Sequence, residues 1–215
     1  MLKHKKKLIF FTSLMTLIPM FAGCILWTRL PDLIATHFGA DNRPNGFSSK
    51  GFTVFGIPVL LVLMHLFLLF LASADPKAKN IGRKPFGILF WIFPLTSILT
   101  GFITYAIALG IPLDVGFIVT LFVGILFLAL GNYFPKVRQN YSFGIKTPWT
   151  LNDSENWNRT NRMAGWCMIL AGIVIVMTSF LHNPYILFGV LGIYVMIPYV
   201  YSYIYYRRHS TGKES

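Results

Sequence analysis

The side chains whose types and spacing suggest chemistry are concentrated in one stretch of the chain, residues 135–162. Hydrogen-bonding side chains alternate there with cations and two tryptophans, a mixture that a plain linker does not need. The candidates for binding or signalling are Asn140, Gly144, Lys146, Thr147, Pro148, Trp149, Thr150, Trp157, Thr160, Asn161 and Arg162. A loop that hydrogen-bonds only to its own helix ends would have the same composition, so the sequence leaves both interpretations open.

A second stretch, residues 29–51, is rich in Pro, Gly, Asn and Asp, which favour compact turns. We predict an ordered, exposed loop in which Phe38 and Phe47 form a small apolar anchor. The candidates for contact with a ligand are Pro31, His37, Phe38 and Lys50. The alternative is a solvated linker on which His37 is simply exposed.

Between these stretches, His65 is an ionisable side chain within a long apolar segment. In a membrane such a histidine either hydrogen-bonds to a neighbouring helix in its neutral form or serves as a proton or ligand site. We favour the first interpretation. Four prolines also interrupt apolar segments, where they either shape helix packing or line a cavity: Pro19, Pro58, Pro94 and Pro198.

The sequence motifs of soluble enzymes are absent. There is no glycine-rich phosphate loop, no His-Glu-x-x-His, no Gly-x-Ser-x-Gly and no pair of cysteines at metal-binding spacing. We therefore expect a protein that is not an enzyme and that has no cofactor and no metal ion.

Six charge-free segments of 19 to 24 residues must position these side chains. Each is long enough to cross a hydrocarbon layer of ~30 Å at 1.5 Å per residue. With 55% hydrophobic and only 12% charged residues, the chain is predicted to be all-α, an integral membrane six-helix bundle. The segments are Leu8–Thr28, Phe52–Ala74, Phe86–Leu109, Val115–Phe134, Met163–Leu181 and Tyr185–Tyr206.

The net charge of +12 is distributed unevenly between the two predicted faces of the membrane. Sixteen of the nineteen Lys and Arg residues, Lys3 and Lys213 among them, lie at the termini and in the connections after the second and fourth segments. The positive-inside rule therefore predicts a multi-pass protein of the plasma membrane with both termini cytoplasmic. Because this topology accounts for the basic clusters, we expect the lipid bilayer as a partner and no direct binding of nucleic acid.

This topology divides the chain into a first helical hairpin, residues 1–74, and a four-helix region, residues 75–215. The hairpin carries loop 29–51 outside the cell, and the second region carries loop 135–162 in the cytoplasm. On the third segment, Ser97 with Gly101 and Ala106 with Gly110 have the spacing of close helix contacts.

Within the second loop, Asn152 and Glu155 have the spacing of a capping box, which predicts a helix start near Asp153. On that helix Trp157 shares a face with Thr160 and Asn161. We expect Trp149 and Trp157 to lie at the inner membrane interface.

The second loop resembles the signature of the SdpI family, bacterial multi-pass membrane proteins named for immunity to a secreted killing peptide. The similarity lies in two stretches, Asn140-x-x-x-Gly-Ile-Lys-Thr-Pro-Trp-Thr-Leu151 and Trp157-x-x-Thr-Asn-Arg-x-x-Gly165. The first loop, with Leu30-Pro-Asp32, His37-Phe38, Gly46 and Ser49-Lys50, is similar to a small domain that often precedes that signature. Lys146 stands where the family usually has Arg, and Asn161 where it often has His.

The resemblance implies protection from an antimicrobial peptide toxin by stoichiometric binding at the membrane. It further implies signalling, in which the toxin-engaged protein holds a cytoplasmic repressor at the membrane. The competing hypothesis is a small-solute transporter or channel-like protein, in which His65 or the prolines line a cavity. A membrane enzyme would require carboxylates and polar groups clustered at one cleft.

Overall fold

The computed structural model describes residues 5–210, and within them six helical segments are long and apolar enough to cross a membrane. The predicted all-α class is confirmed. Lys3 and Lys213, which contribute to the charge asymmetry, lie outside the described residues. The segments run over Lys6–Ile25, Phe52–Ala74, Arg83–Ala108, Val115–Lys136, Ser154–Leu181 and Tyr185–His209.

The described chain forms two compact units. The first, here called the hairpin unit, contains residues 5–73 and 87–115; the second, the motif unit, contains residues 74–86 and 116–210. The third spanning helix thus contributes most of its length to the same unit as the first two. The elements of the hairpin unit are α1 (Lys6–Thr16), α2 (Ile18–Ile25), β1 (Leu33–Phe38), β2 (Pro44–Ser49), a π-helical turn (Phe52–Gly56), α3 (Ile57–Ala74) and α4 (Arg83–Ala108).

Strands β1 and β2 form an antiparallel hairpin in the first loop, in a register that pairs Leu33 with Ser49. Its turn closes through a hydrogen bond from the Gly39 N–H to the Arg43 carbonyl, and Asn42 takes the left-handed conformation at φ 61°. The sequence predicted turns here and missed the strands, because the Pro-Asn-Gly that opens β2 is poor in strand formers. A two-stranded sheet tolerates these residues because both strands are edges.

The predicted apolar anchor of this loop is wrong in one residue. Phe47 is 58% exposed, whereas Leu30 and Ile34 are buried and pack with Val54 and Tyr105. The hairpin is therefore held by apolar residues at the beginning of the loop, which the loop's turn-rich composition obscured. The burial of these side chains fixes the hairpin to the helices of its own unit.

Helix α4 packs closely against the junction between α1 and α2. The Ser97 hydroxyl donates a hydrogen bond of 2.7 Å to the Thr16 carbonyl, and a Cβ added at Gly101 would lie 2.5 Å from the Pro19 Cβ. The predicted contact through Ser97 and Gly101 is confirmed. The second predicted pair is wrong, because Gly110 lies beyond the end of α4, at φ +82° and with no neighbouring atom within 4 Å of an added Cβ.

The motif unit consists of helices joined by short turns and by the second loop. Its elements are a 3₁₀ turn (Ala78–Ile81), α5 (Val115–Gly131), a turn (Phe134–Lys136), α6 (Pro148–Asn152), α7 (Ser154–Thr178), a turn (Ser179–Leu181) and α8 (Pro184–Ser210). Helix α7 begins at the predicted place, but its cap is the Asp153 carboxylate, which accepts from the backbone N–H groups of Glu155 and Asn156. The expected pairing of Asn152 with Glu155 is therefore wrong.

Glycines spaced seven residues apart bring α5 and α7 together, namely Gly124 and Gly131 on α5 and Gly165 and Gly172 on α7. A Cβ added at Gly172 would lie 2.9 Å from the Gly124 carbonyl oxygen, and a Cβ added at Gly165 would lie 2.9 Å from the Gly131 carbonyl oxygen. The two helices therefore run antiparallel with their backbones in contact, as small residues permit in membranes.

We predict that Gly172→Ala destabilises the protein, because the added methyl group forces α5 and α7 apart. Gly189→Ala on α8 is the matched control, since a Cβ at that position meets no atom within 4 Å. The loss, on the order of 1–3 kcal/mol for overpacking, is measured by thermal unfolding of the purified protein in one detergent. Equal unfolding temperatures for the two variants would contradict the close contact.

Candidate functional site

The second loop folds around the side chain of Asn140, which is fully buried. Its amide nitrogen donates to the carbonyls of Arg138 and Phe143, at 2.8 and 3.0 Å. Its amide oxygen accepts from the backbone N–H groups of Ser142 and Phe143, at 2.9 and 2.7 Å. Since backbone N–H groups can only donate, this network fixes the orientation of the amide, and all four of its hydrogen-bonding positions are used.

Helix α7 presents a buried face to this loop through Trp157 and Asn161. The Trp157 indole is fully buried and donates a 2.9 Å hydrogen bond to the Val137 carbonyl, and the Asn161 amide oxygen accepts from the Ile145 N–H at 2.8 Å. Gly144, at φ +131°, passes so close that an added Cβ would lie 2.7 Å from that amide oxygen. Trp157 is thus a fully buried anchor for the loop.

The short helix α6 begins with a capping box that the sequence analysis did not identify. The Thr147 hydroxyl accepts from the Thr150 N–H, and the Thr150 hydroxyl oxygen accepts from the Thr147 N–H. The Thr150 hydroxyl also lies 2.9 Å from the Ile145 carbonyl, to which it donates. Pro148 occupies the first turn, where a missing N–H costs nothing. Both threonines are buried, so they build the loop.

Ser202, a fully buried residue of α8, ties α6 and α7 to that helix. Its hydroxyl accepts a 2.9 Å hydrogen bond from the Trp149 indole, and its carbonyl accepts from the Asn156 amide at 3.0 Å. Thr160 in turn donates to the Asn156 amide oxygen. Trp149 is half-buried and stacks on Tyr206 with 5.8 Å between ring centroids. Ser202 was missed because a single small polar residue in a tyrosine-rich segment gives little signal, and Asn156 because it is one of many polar residues around the start of α7.

Gln139 connects the loop to the chain just after the second span. Its amide nitrogen donates to the carbonyls of Thr150 and Leu151, and its amide oxygen accepts a 2.7 Å hydrogen bond from the Lys77 ammonium. The Gln139 carbonyl accepts from the Asn80 amide, also at 2.7 Å. Two segments about sixty residues apart in sequence are therefore joined by side-chain hydrogen bonds.

Asp75 makes the second connection between these segments, and the sequence analysis missed it. One carboxylate oxygen accepts from the Lys77 N–H at 2.7 Å; the other accepts from the Tyr141 N–H and the Ser142 hydroxyl, at 2.8 and 2.7 Å. Burial alone would raise the pKa of Asp75, but these hydrogen bonds to the ionised form outweigh it and lower the pKa below its ordinary value. Its position as the first charged residue after an apolar span was the available signal.

The exposed surface of the loop is basic. Lys146 donates to the carbonyls of Tyr141 and Ser142, at 3.1 and 3.4 Å, and its ammonium suits two carbonyls without the planar fork of an arginine. Arg138 and Arg162 are exposed to solvent. Of the predicted candidates, therefore, Lys146, Pro148 and Arg162 are on the surface, whereas the buried side chains form the scaffold beneath them.

In the first loop, Lys50 is the candidate with the most contacts. Its ammonium donates to the Leu30 carbonyl at 3.0 Å, forms an ion pair with Asp32 at 3.0 Å and lies 5.2 Å from the Trp27 ring centroid. The side chain is only 17% exposed. Lys50 therefore closes the base of the hairpin.

The other candidates of this loop are more exposed. His37 hydrogen-bonds to the Asn45 amide oxygen across the hairpin, opposite Gly46, and both side chains lie on the surface. Pro31 is exposed and Phe38 is half-buried. These residues form an ordered surface, as the sequence analysis predicted for this loop.

His65 is fully buried between helices of the hairpin unit, and its Nε2 lies 3.0 Å from the Thr12 hydroxyl oxygen. That hydroxyl donates its proton to helix carbonyls, those of Leu8 and Ile9. The other ring nitrogen, Nδ1, has no hydrogen-bond partner among the described residues. The geometry is the expected hydrogen bond to a neighbouring helix.

The hairpin unit also contains a cavity of about 200 Å³ between α2, α3, α4 and β1. Pro19 and Pro58 line it, together with hydroxyl-bearing and apolar side chains, and none of the lining residues is charged. His65 does not line it. Two of the four prolines singled out in the sequence thus border a cavity.

Comparison with known proteins bears on both loops. The model of the SdpI/YfhL protein family matches residues 136–202, from the start of the second loop to Ser202. A domain of unknown function, DUF1648, matches residues 14–62, which include the hairpin. The immunity protein SdpI of Bacillus subtilis (strain 168) is 30% identical over 191 residues, covering 86% of this chain and 88% of the relative.

The chain belongs to the SdpI family. The family match ends at Ser202, the residue that ties α6 and α7 to α8, so the matched stretch contains the whole hydrogen-bonded scaffold except Asp75, Lys77 and Asn80. No solved structure matches the chain. The chain is thus an SdpI family member with several membrane-spanning helices, and its motif loop (residues 135–162) is an internally hydrogen-bonded element.

We predict that Asp75→Asn destabilises the protein near neutral pH and removes part of its dependence on pH. Because the folded-state pKa of Asp75 is lowered, its contribution to stability is present above the ordinary pKa of about 4 and is lost as the pH falls through the folded-state value. The measurement is the unfolding temperature between pH 3 and 7, with Asp41→Asn on the exposed hairpin turn as control. Parallel profiles for the wild type and Asp75→Asn would contradict the role of this carboxylate.

Proposed function

We propose that this chain is a membrane immunity protein that protects its cell from a secreted antimicrobial peptide. The observation that carries the proposal is the similarity to the Bacillus subtilis immunity protein over most of both chains. The ordered hairpin and the motif loop, the two places where sequence suggested specific contacts, both fall inside family matches. The protection is stoichiometric, by binding the peptide, and involves no turnover.

The orientation belongs to the same proposal. With sixteen Lys and Arg residues assigned to one face and three to the other, both termini and the motif loop face the cytoplasm. The hairpin then faces outward in the plasma membrane, where a secreted peptide arrives. The peptide is met on the outside, and the motif loop lies on the side of cytoplasmic partners.

The motif loop serves in this proposal as a rigid platform for signalling. Its buried polar side chains satisfy one another, and its exposed cations, Arg138 and Arg162, present positive charge on an ordered backbone. An acidic surface of a cytoplasmic repressor is complementary to it. A change in the helices on toxin binding would alter how this platform holds the repressor at the membrane.

One observation favours the alternative of a small-solute transporter or channel. Pro19 and Pro58 border the cavity of the hairpin unit, as that hypothesis requires. It predicts solute movement across vesicles without any peptide, which the immunity proposal does not.

The proposal is tested by expressing the full chain in a strain sensitive to the killing peptide of the family. We predict survival with the wild type, loss with Asn140→Ala or Trp157→Ala, and full protection with Arg29→Ala, an exposed cation. Removing the buried indole costs roughly 3–5 kcal/mol, and the Asn140 change leaves several buried backbone groups without partners. Membrane levels of each variant are measured by immunoblot.

Unchanged killing in the presence of the wild type would remove the immunity proposal for that peptide. Equal loss of protection across all three variants, at equal membrane levels, would mean that the motif loop has no special part.

The signalling part of the proposal predicts a variant that keeps protection and loses signalling. The double variant Arg138→Glu/Arg162→Glu should still protect the cell, but a reporter gene placed under the promoter of this protein's gene should no longer be induced by the peptide. The reason is that the reversed charges on the platform repel an acidic repressor. Arg43→Glu, on the hairpin turn and 85% exposed, is the control. Normal induction in the double variant would contradict a charge-based contact.

A further inference from the structure

The cavity of the hairpin unit is lined in part by a tyrosine whose hydroxyl has no hydrogen-bond partner among the described residues. Tyr105 lines the cavity with a side chain that is only 5% exposed, and its hydroxyl makes no hydrogen bond to any other described residue. Thr104, also in the lining, likewise makes none. These two hydroxyls therefore have hydrogen-bonding capacity that the described residues do not use.

Other hydroxyls of the same lining are already used by the fold. Thr53 donates to the Ser49 carbonyl at 3.0 Å, Ser97 donates to the Thr16 carbonyl at 2.7 Å, and Thr100 donates to the Thr96 carbonyl at 2.9 Å. Adjacent Thr104 and Tyr105, by contrast, make no side-chain hydrogen bond to a described residue, and neither does Thr96, so the lining has hydrogen-bonding capacity left for something that enters the cavity.

The size and charge of the cavity limit what enters. Its volume of about 200 Å³ exceeds the ~150 Å³ that accommodates one benzene ring, and is below the ~300 Å³ at which sites for larger ligands begin. Because no lining residue is charged, the cavity suits one uncharged group of aromatic size that can also form a hydrogen bond.

The hairpin indicates that this group belongs to a peptide. Thr36 of β1 lines the cavity, so the cavity adjoins a sheet that has only two strands among residues 5–210. An extended peptide can add itself to an exposed strand edge, with alternate side chains entering a neighbouring pocket. A free solute or a lipid gains nothing from such an edge.

We propose that this cavity is the pocket that selects the toxin: it takes one uncharged, aromatic-sized side chain of the peptide, and the Tyr105 hydroxyl hydrogen-bonds to that side chain. This inference rests on the proposed immunity function and assigns it a site. The pocket explains how the hairpin unit discriminates between peptides, because a charged side chain entering it would find no counter-ion.

The first arm of the test measures binding of the fluorescently labelled killing peptide to the full chain in lipid nanodiscs. Tyr105→Phe, which removes one oxygen and keeps the ring, should weaken binding about tenfold, the effect of one hydrogen bond. Tyr185→Phe is the matched control, since Tyr185 is 73% exposed at the start of α8. Wild-type binding that Tyr105→Phe leaves unchanged would overturn the proposal.

The second arm does not need the toxin. In a chain with Cys24→Ser and Cys167→Ser, Thr104→Cys places a thiol in the cavity, and its alkylation by N-ethylmaleimide is followed with and without N-acetyltyrosinamide. The capped tyrosine should slow alkylation, and N-acetyllysinamide should not. Absence of alkylation, or equal rates with both compounds, would overturn the pocket.

The two arms separate the two proposals. If the capped tyrosine slows alkylation but the chain neither binds the peptide nor protects cells, the pocket exists and its assignment to the toxin is wrong. The opposite result is also possible: the wild type protects cells, both capped amino acids give equal alkylation rates, and Tyr105→Phe binds the peptide as well as the wild type does. That result would support the immunity proposal and rule out the pocket.

Discussion

The requirement that every buried polar group has a partner determines the structure of the motif loop. A chain segment that leaves a spanning helix and covers the ends of other helices must bury backbone N–H and carbonyl groups. Asn140 satisfies four of these groups with one amide, and Asn161 and Trp157 satisfy others from α7. Without them the loop would expose its backbone to water and could not lie against the helices.

The same requirement links the loop to the rest of its unit. Asp75 and Gln139 join it to the chain after the second span, and Ser202 joins it to α8. The glycine contacts between α5 and α7 set the spacing at which Trp157 fits beneath the loop. Burial of polar side chains therefore has a structural purpose here, and the residues left for a partner are the exposed cations. In the hairpin unit, Lys50 has the comparable position, closing the hairpin through a carbonyl, a carboxylate and an indole ring.

Hydropathy and charge predicted five of the six spans to within about three residues at each end, because crossing a bilayer demands length and apolarity. The fifth span begins at Ser154, well before the predicted Met163, because its first turns are polar and are buried against the second loop. The start of α7 and the Ser97–Gly101 contact followed from local spacing. Elements that depend on distant partners could not be predicted: the pairing of β1 with β2, the burial of Leu30 in place of Phe47, and the links from Asp75 and Ser202. Whether the polar residues of the motif loop faced inward or outward was open from composition, since both arrangements use the same side chains.

The motif loop is, above all, an ordered element held by internal hydrogen bonds. Hydrogen–deuterium exchange of the full chain in nanodiscs tests it most directly, by comparing peptides that cover residues 139–147 with those of α7. We predict slow exchange at Tyr141, Phe143, Ile145 and Thr147, whose N–H groups donate to buried or half-buried side chains. Exchange at these positions as fast as in the exposed hairpin turn, residues 39–43, would contradict it.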